Sequence, residues 1–151
     1  MNDTSVENSD QQNEKSEGNK NERKVFVAGE RSINEIIADL KKPIHRSLLK
    51  TRTQGGKKID FIEWHTAIKY LDKFAPGWNY EVRQVTNLGG RCVVTVRISI
   101  PCKEGSVWRE ATGQEEEELK GYGDPSSNAE AMALKRAAAK FGLALYLYDK
   151  V

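Results

Sequence analysis

The sequence is short of cysteine and histidine, with two of each in 151 residues. Cys92 and Cys102 are too few for a disulfide framework. Together with His45 and His65 they match no zinc-ligand spacing. This excludes a disulfide-dense secreted scaffold and points to a reducing compartment, with no structural metal. Long apolar runs are absent: nothing approaches the roughly 18–20 residues of a membrane span. The N-terminus lacks the basic patch and apolar stretch of a secretory signal.

Enzyme signatures are also absent. There is no Gly-x-Ser-x-Gly, no His-Glu-x-x-His and no dinucleotide fingerprint. Gly55-Gly56-Lys57 falls short of a phosphate loop, because the full spacing is missing and no Ser or Thr follows the lysine. Glu81, Glu110 and Asp124 form no recognisable acid/base pair or nuclease metal motif. His65, beside Trp64 in a helical pattern, reads as a core or partly buried histidine rather than a catalytic base. The expectation is a binding protein, not an enzyme, without cofactor or metal.

What is present is one polar domain of 17.0 kDa, 38% hydrophobic and 30% charged. Its net charge of +2 hides a division. Four basic and six acidic residues lie in 1–24, leaving 20 basic and 16 acidic ones in 25–151. The first segment has almost no apolar side chain to bury, so it is expected to be a disordered polar tail. Residues 25–151 are expected to be a single, mildly basic domain.

Ser32-Ile33-Asn34-Glu35 has the spacing of a capping box, and Ile33, Ile36, Ile37 and Leu40 follow on one helical face. Residues 44–54 are basic without clear periodicity, and Gln54-Gly55-Gly56-Lys57-Lys58 reads as a flexible basic loop. Ile59–Ile62 reads as a short strand. Trp64, Ile68 and Leu71 predict a helix to about Phe74, closed by Ala75-Pro76-Gly77. Three strands follow. The middle one is the cleanest pattern in the chain: Cys92, Val94, Val96, Ile98 and Ile100 alternate with Arg91, Val93, Thr95, Arg97 and Ser99. Val107–Gln114 is the third strand, and Glu115–Glu118 a solvated acidic loop. Ser127-Asn128-Ala129-Glu130 is a second capping-box spacing, opening a helix that runs to Phe141 and stops at Gly142. The predicted class is α+β: a curved antiparallel sheet with a strand, helix, three-strand, helix core and its helices on one face.

The last helix carries the chemistry. Ala131, Leu134, Ala138 and Phe141 form a predicted buried stripe, Lys135 lies at the edge of that stripe, and Arg136 and Lys140 share the opposite face. Small residues around these cations would let a phosphodiester backbone approach closely. The plain alternative is a packed helix with solvated cations. Lys50, Arg52, Lys57 and Lys58 around the paired glycines form a second basic group, and Arg97 a further cation on the polar face of its strand. Together they suit a nucleic-acid groove. The C-terminal run Gly142 to Val151 is rich in Leu and Tyr, and must be covered by its own core or by a neighbouring subunit.

The stretches Lys57–His65, Gly77–Tyr80, Arg91–Ile100, Arg109–Gly113 and Gly121–Ala131, with Ala133-Leu134-Lys135-Arg136-Ala137 and Phe141-Gly142, resemble the Rad-fifty-two family of single-strand annealing proteins, especially its short bacterial and phage, DdrA-like branch. The resemblance implies sequence-independent single-stranded DNA binding and annealing of complementary strands in recombination and double-strand break repair. It implies a homo-oligomeric ring with a basic groove, no nucleotide, and other recombination proteins or a single-strand-binding protein as further partners. It assigns the inner DNA contacts to Lys135 and Arg136, and a loop contact to the region of Lys50 and Arg52, where Thr51 occupies the matching position. A further basic position falls on Ala139, with Lys140 beside it. The setting it implies is the nucleoid-associated cytoplasm of a bacterium or phage host, or a eukaryotic nucleus. A double-stranded RNA-binding domain shares the helix, three-strand, helix order and remains an alternative, although Ser-Ser-Asn-Ala-Glu replaces the lysines an RNA-reading helix would carry at its start. An assembly subunit without a DNA groove is the other alternative.

Overall fold

The computed structural model describes residues 25–118 and 123–150. The proposed tail 1–24 and Tyr122 of the Gly121–Ala131 motif lie outside them. The fold is α+β, with two antiparallel sheets instead of one. Helix α1 (Ile33–Leu40) begins where the sequence places it: the Ser32 hydroxyl accepts from the Glu35 amide at 3.2 Å. Strands β1 (Lys50–Gln54) and β2 (Lys57–Phe61) pair into a hairpin. Helix α2 (Trp64–Phe74) follows, then β3 (Asn79–Leu88), β4 (Arg91–Cys102), β5 (Gly105–Glu116) and α3 (Pro125–Lys140). A 3-10 helix, Leu145–Lys150, closes the described chain. No helix among the described residues is long and apolar enough to cross a membrane.

The expected flexible loop at 54–58 is the turn of the β1–β2 hairpin. Gly55 and Gly56 both have positive φ, 58° and 76°, as a two-residue hairpin turn requires. The hairpin escaped the sequence reading because β1 is exposed along its whole length and has no apolar alternation. The acidic run is likewise part strand, since Glu115 and Glu116 pair with Cys92 and Arg91. In the three-stranded sheet β4 is central, and its even-numbered residues from Cys92 to Cys102 are buried as the alternation predicts. Strand β3 is an edge with a register shift between Val82 and Gln84.

Helix α3 starts earlier than expected. Asp124 is its N-cap, accepting from the Ser126 amide at 3.1 Å, and Pro125 opens the first turn; Ser127 instead donates its hydroxyl to Asp124. Its buried face also differs. Ala129, Ala133, Leu134, Ala137, Ala138 and Ala139 are buried, whereas Ala131 is only half-buried. The alanines face the protein and not a ligand. At Gly113 of β5, a Cβ would stand 2.1 Å from the Ala129 carbonyl oxygen and 2.5 Å from the Ala133 nitrogen. The small side chains therefore bring the helix backbone onto the sheet.

Phe141, Leu40, Leu71, Ile98, Ile100 and Leu143 are the largest fully buried side chains of one continuous core. Burial of each contributes about 1.5–3 kcal/mol relative to exposure. The C-terminal run is covered largely by its own domain: Leu143, Ala144 and Leu147 are buried, while Leu145 and Tyr148 are exposed. His65 is not a core residue. It is exposed at the start of α2, with Nε2 2.7 Å from a Glu63 carboxylate oxygen. Trp64, expected on the apolar face of α2, is 50% exposed. Cys92 and Cys102 are buried free thiols, and no group of three metal-ligating side chains is assembled among the described residues.

The contact between Gly113 and α3 leaves no room for a methyl group. Gly113→Ala is expected to destabilise the domain by about 2 kcal/mol or more, through displacement of α3 from β5. Urea denaturation of the purified variant measures this.

Candidate nucleic-acid interface

The β1–β2 hairpin stands opposite two cations of α3, Lys135 and Arg136. Directly paired residues of an antiparallel hairpin share a face. The register therefore groups Lys50 with Phe61, Arg52 with Ile59 and Gln54 with Lys57 on one face, and Thr51 with Asp60 and Thr53 with Lys58 on the other. Arg52, Gln54, Ile59 and Phe61 line a groove of about 430 Å³, with Lys135 and Arg136 on the facing side. Leu143, Ala144 and Leu147 contribute an apolar floor, and Glu115 and Asp60 its acidic members. The side chain of Asp60 is engaged by the Thr51 hydroxyl at 3.0 Å.

Phe61 organises the groove. The Arg52 guanidinium and the Lys135 ammonium each lie 5.3 Å from its ring centroid. Lys135 also donates to the Ile62 carbonyl at 3.1 Å. Burial, first, and the nearby Arg52 charge, second, push the Lys135 ammonium below the ordinary lysine value of 10.5; Glu63 opposes this. Charging Lys135 therefore works against the fold near neutral pH, and this penalty fades as pH rises through the lowered value. An anion in the groove has the opposite preference, because it favours the charged lysine.

The other α3 cations rest on backbone as well. Arg136 donates to the Thr112 carbonyl at 3.2 Å and Lys140 to the Glu110 carbonyl at 2.5 Å. Arg109 donates to the Lys140 carbonyl. Arg136, Ala139 and Lys140 border a second, shallower cleft beside Ala111 and Thr112. Ala139 itself is buried.

Arg97 stands apart. It lies on the opposite side of β4 from the buried residues that meet α3, and its Nε donates to Glu110 at 2.7 Å. Its guanidinium stacks 3.8 Å above the Trp108 ring. Arg83 adds ion pairs to Glu81 and Glu110. The structure thus joins Arg52 with Lys135 and Arg136 around one groove, and puts Lys50 and Lys57 on the same hairpin face as Arg52 without lining the groove. It sets Lys140 in the adjoining cleft, and turns Lys58 and Arg97 to other surfaces. Phe61 and Tyr148 are lining residues that the sequence reading did not assign to the site. Phe61 had a signal available, since strand alternation puts it on the face of Ile59 and Lys57; Tyr148 had none.

Residues 32–151 match the Rad52/22 family of double-strand break repair proteins. The chain belongs to this family. It is similar to the mitochondrial DNA repair RAD52-like protein 1 of Arabidopsis thaliana, 39% identical over 122 residues, which cover 80% of this chain and 69% of that protein. It is also similar to the chloroplastic DNA repair RAD52-like protein 2 of the same plant, 37% identical over 124 residues, covering 80% of this chain and 62% of that relative. The chain thus matches roughly two thirds of the length of these relatives. They correct two expectations. The kinship is with plant RAD52-like proteins, not with a bacterial or phage DdrA-like branch. Their organellar names also differ from the bacterial cytoplasm and the nucleus inferred above.

Within this Rad52/22 domain, Lys135 titrates as a measurable property of the groove. Its pKa is expected below 10.5 in the free protein. Arg52→Ala should raise it by removing a like charge, and Glu63→Gln should lower it further. NMR titration of the lysine side-chain carbons reads both shifts.

Proposed function

We propose that this domain binds single-stranded DNA through the groove between the β1–β2 hairpin and α3, and anneals complementary strands in recombination and double-strand break repair, without bond-making chemistry. One observation carries this reading. The cations of α3 are held by backbone carbonyls, whereas Arg83 and Arg97 on the outer sheet face are neutralised by carboxylates. A carbonyl orients a cation without adding a countercharge. With Arg52, Lys135 and Arg136 against Asp60 and Glu115, the groove is a net positive site that an incoming phosphate can neutralise. Phosphate contacts carry no base information, so binding is indifferent to sequence and leaves base edges free for pairing.

The family and the names of its relatives support a role on DNA. The start of α3 argues against duplex RNA as ligand: its first turn is Pro125-Ser126-Ser127, capped by the Asp124 carboxylate. We propose further that copies assemble head to tail into a closed ring. The support is the β3 edge of the three-stranded sheet, where Tyr80, Val82, Val85 and Leu88 are 40–62% exposed and no further strand pairs among the described residues. Such an apolar edge is a template for another chain. A closed head-to-tail contact would set successive grooves along one track, so that weak contacts add.

Fluorescence anisotropy with labelled single strands over a salt series tests the groove. With about four phosphates contacted per protomer, log affinity against log salt should have a slope of roughly −3 per protomer. Lys135→Ala with Arg136→Ala should weaken binding to all sequences alike and flatten that slope. Unchanged affinity in the folded double variant, or tighter binding to duplex RNA in competition, would refute the reading. Strand-annealing rates and sedimentation at micromolar concentration test the annealing and ring components; a monomer that still binds tightly would exclude the ring.

A further inference from the structure

The groove and the neighbouring cleft share two lining residues, Arg136 and Tyr148. Together these form the ridge between Lys135 and Arg52 on one side and Lys140 on the other. Tyr148 is 53% exposed, and its ring and hydroxyl have no hydrogen bond, ion pair or ring contact among the described residues. Its position is nonetheless fixed by what surrounds it in the chain. Leu147 is buried in the core, and the Tyr146 hydroxyl accepts from the Ile44 amide at 3.0 Å. The segment enters its 3-10 helix through Ala144, which holds a left-handed φ of 55°. A non-glycine residue adopts that conformation only where packing imposes it, and Ala144 is buried. The result is a free aromatic face on an anchored backbone, flanked by cations.

We propose that Tyr148 stacks on a nucleobase of single-stranded DNA while Lys135 and Arg136 hold the flanking phosphates. This rests on the DNA-binding reading above and adds an apolar, base-facing contact to it. The chemistry suits annealing. Stacking engages the π-face that every base offers, so it adds affinity without sequence preference and leaves the pairing edges open. A hydrogen-bonding side chain at this position would compete with the complementary strand. The flanking charge on both sides favours a nucleotide over an apolar patch of another protein as the occupant. Preorganisation of the ring by Tyr146, Leu147 and Ala144 reduces the ordering that binding would otherwise require.

The test compares the full chain with Tyr148→Ala and Tyr148→Phe, using a labelled single strand and an abasic strand of equal length. On the normal strand Tyr148→Ala should bind about tenfold more weakly, and Tyr148→Phe like the parent protein. On the abasic strand Tyr148→Ala should cause no loss, whereas Lys135→Ala should weaken binding to both strands. The salt slope of Tyr148→Ala should equal that of the parent, since no phosphate contact is removed. Equal loss on both strands, parent-like affinity of Tyr148→Ala, or an altered sedimentation coefficient of that variant would overturn the stacking role, the last by assigning the ring to a subunit contact. Those results leave the groove intact as long as Lys135→Ala still weakens binding. A parent protein that binds neither strand overturns both.

Discussion

The close packing of α3 on β5 sets the geometry of everything else. A helix that meets a sheet through leucines stands off by the length of their side chains. Here Gly113 removes the side chain on one partner, and Ala129 and Ala133 reduce it on the other. Backbone meets backbone, and the position of α3 is determined with little slack. Lys135, Arg136 and Lys140 project from this helix, so their heads reach the carbonyls of Ile62, Thr112 and Glu110 and stop there. A bulkier interface would lift all three cations away from those acceptors at once. The apolar content of the helix therefore serves the placement of its charge.

The two faces of the three-stranded sheet dispose of charge in different ways. On the outer face, Glu110 accepts from Arg97 and forms a longer ion pair with Arg83, and the Trp108 ring covers Arg97. Such partly exposed pairs contribute little to stability, but they cancel the field. On the helix side the cations keep their charge, and Lys135 keeps it at a penalty, beside Arg52 and partly out of water. Glu63 offsets part of that penalty, but the hydrogen bonds that Lys135, Arg136 and Lys140 make among the described residues go to backbone carbonyls and not to carboxylates.

Much of this was legible in the chain. The alternation through β4 gave its buried and solvent faces correctly, because a strand covered on one side must alternate. Ser32 announced the start of α1 through a local bond. What escaped reading depends on partners distant in sequence. The β1 strand has no buried residue, so nothing in Lys50–Gln54 separates it from a loop until β2 is known to pair with it. The alanines of α3 are consistent with an approaching backbone, but composition does not say whose; the answer was the sheet. Asp124 outcompeted the Ser127 capping-box spacing because Pro125 prefers the first helical turn. Lys135 and Arg136 stood out in the helix pattern and again by resemblance, whereas their sharing a groove with Arg52 and Phe61 needed the hairpin.

The register also explains why a hairpin, and not a loop, is the right partner for α3. Side chains on a strand alternate, so Lys50, Arg52 and Lys57 lie on the groove face while Lys58 and Thr53 lie behind it. A mobile loop carrying the same cations would scatter them, and each would have to be ordered when a strand bound. The paired backbone supplies that order in advance, and the Gly55-Gly56 turn lets the two strands close with their native twist. Phe61 then links hairpin to helix, since its one ring lies beneath both Arg52 and Lys135. Burial and the nearby Arg52 charge both disfavour the charged form of Lys135, and an anion between hairpin and helix would favour it.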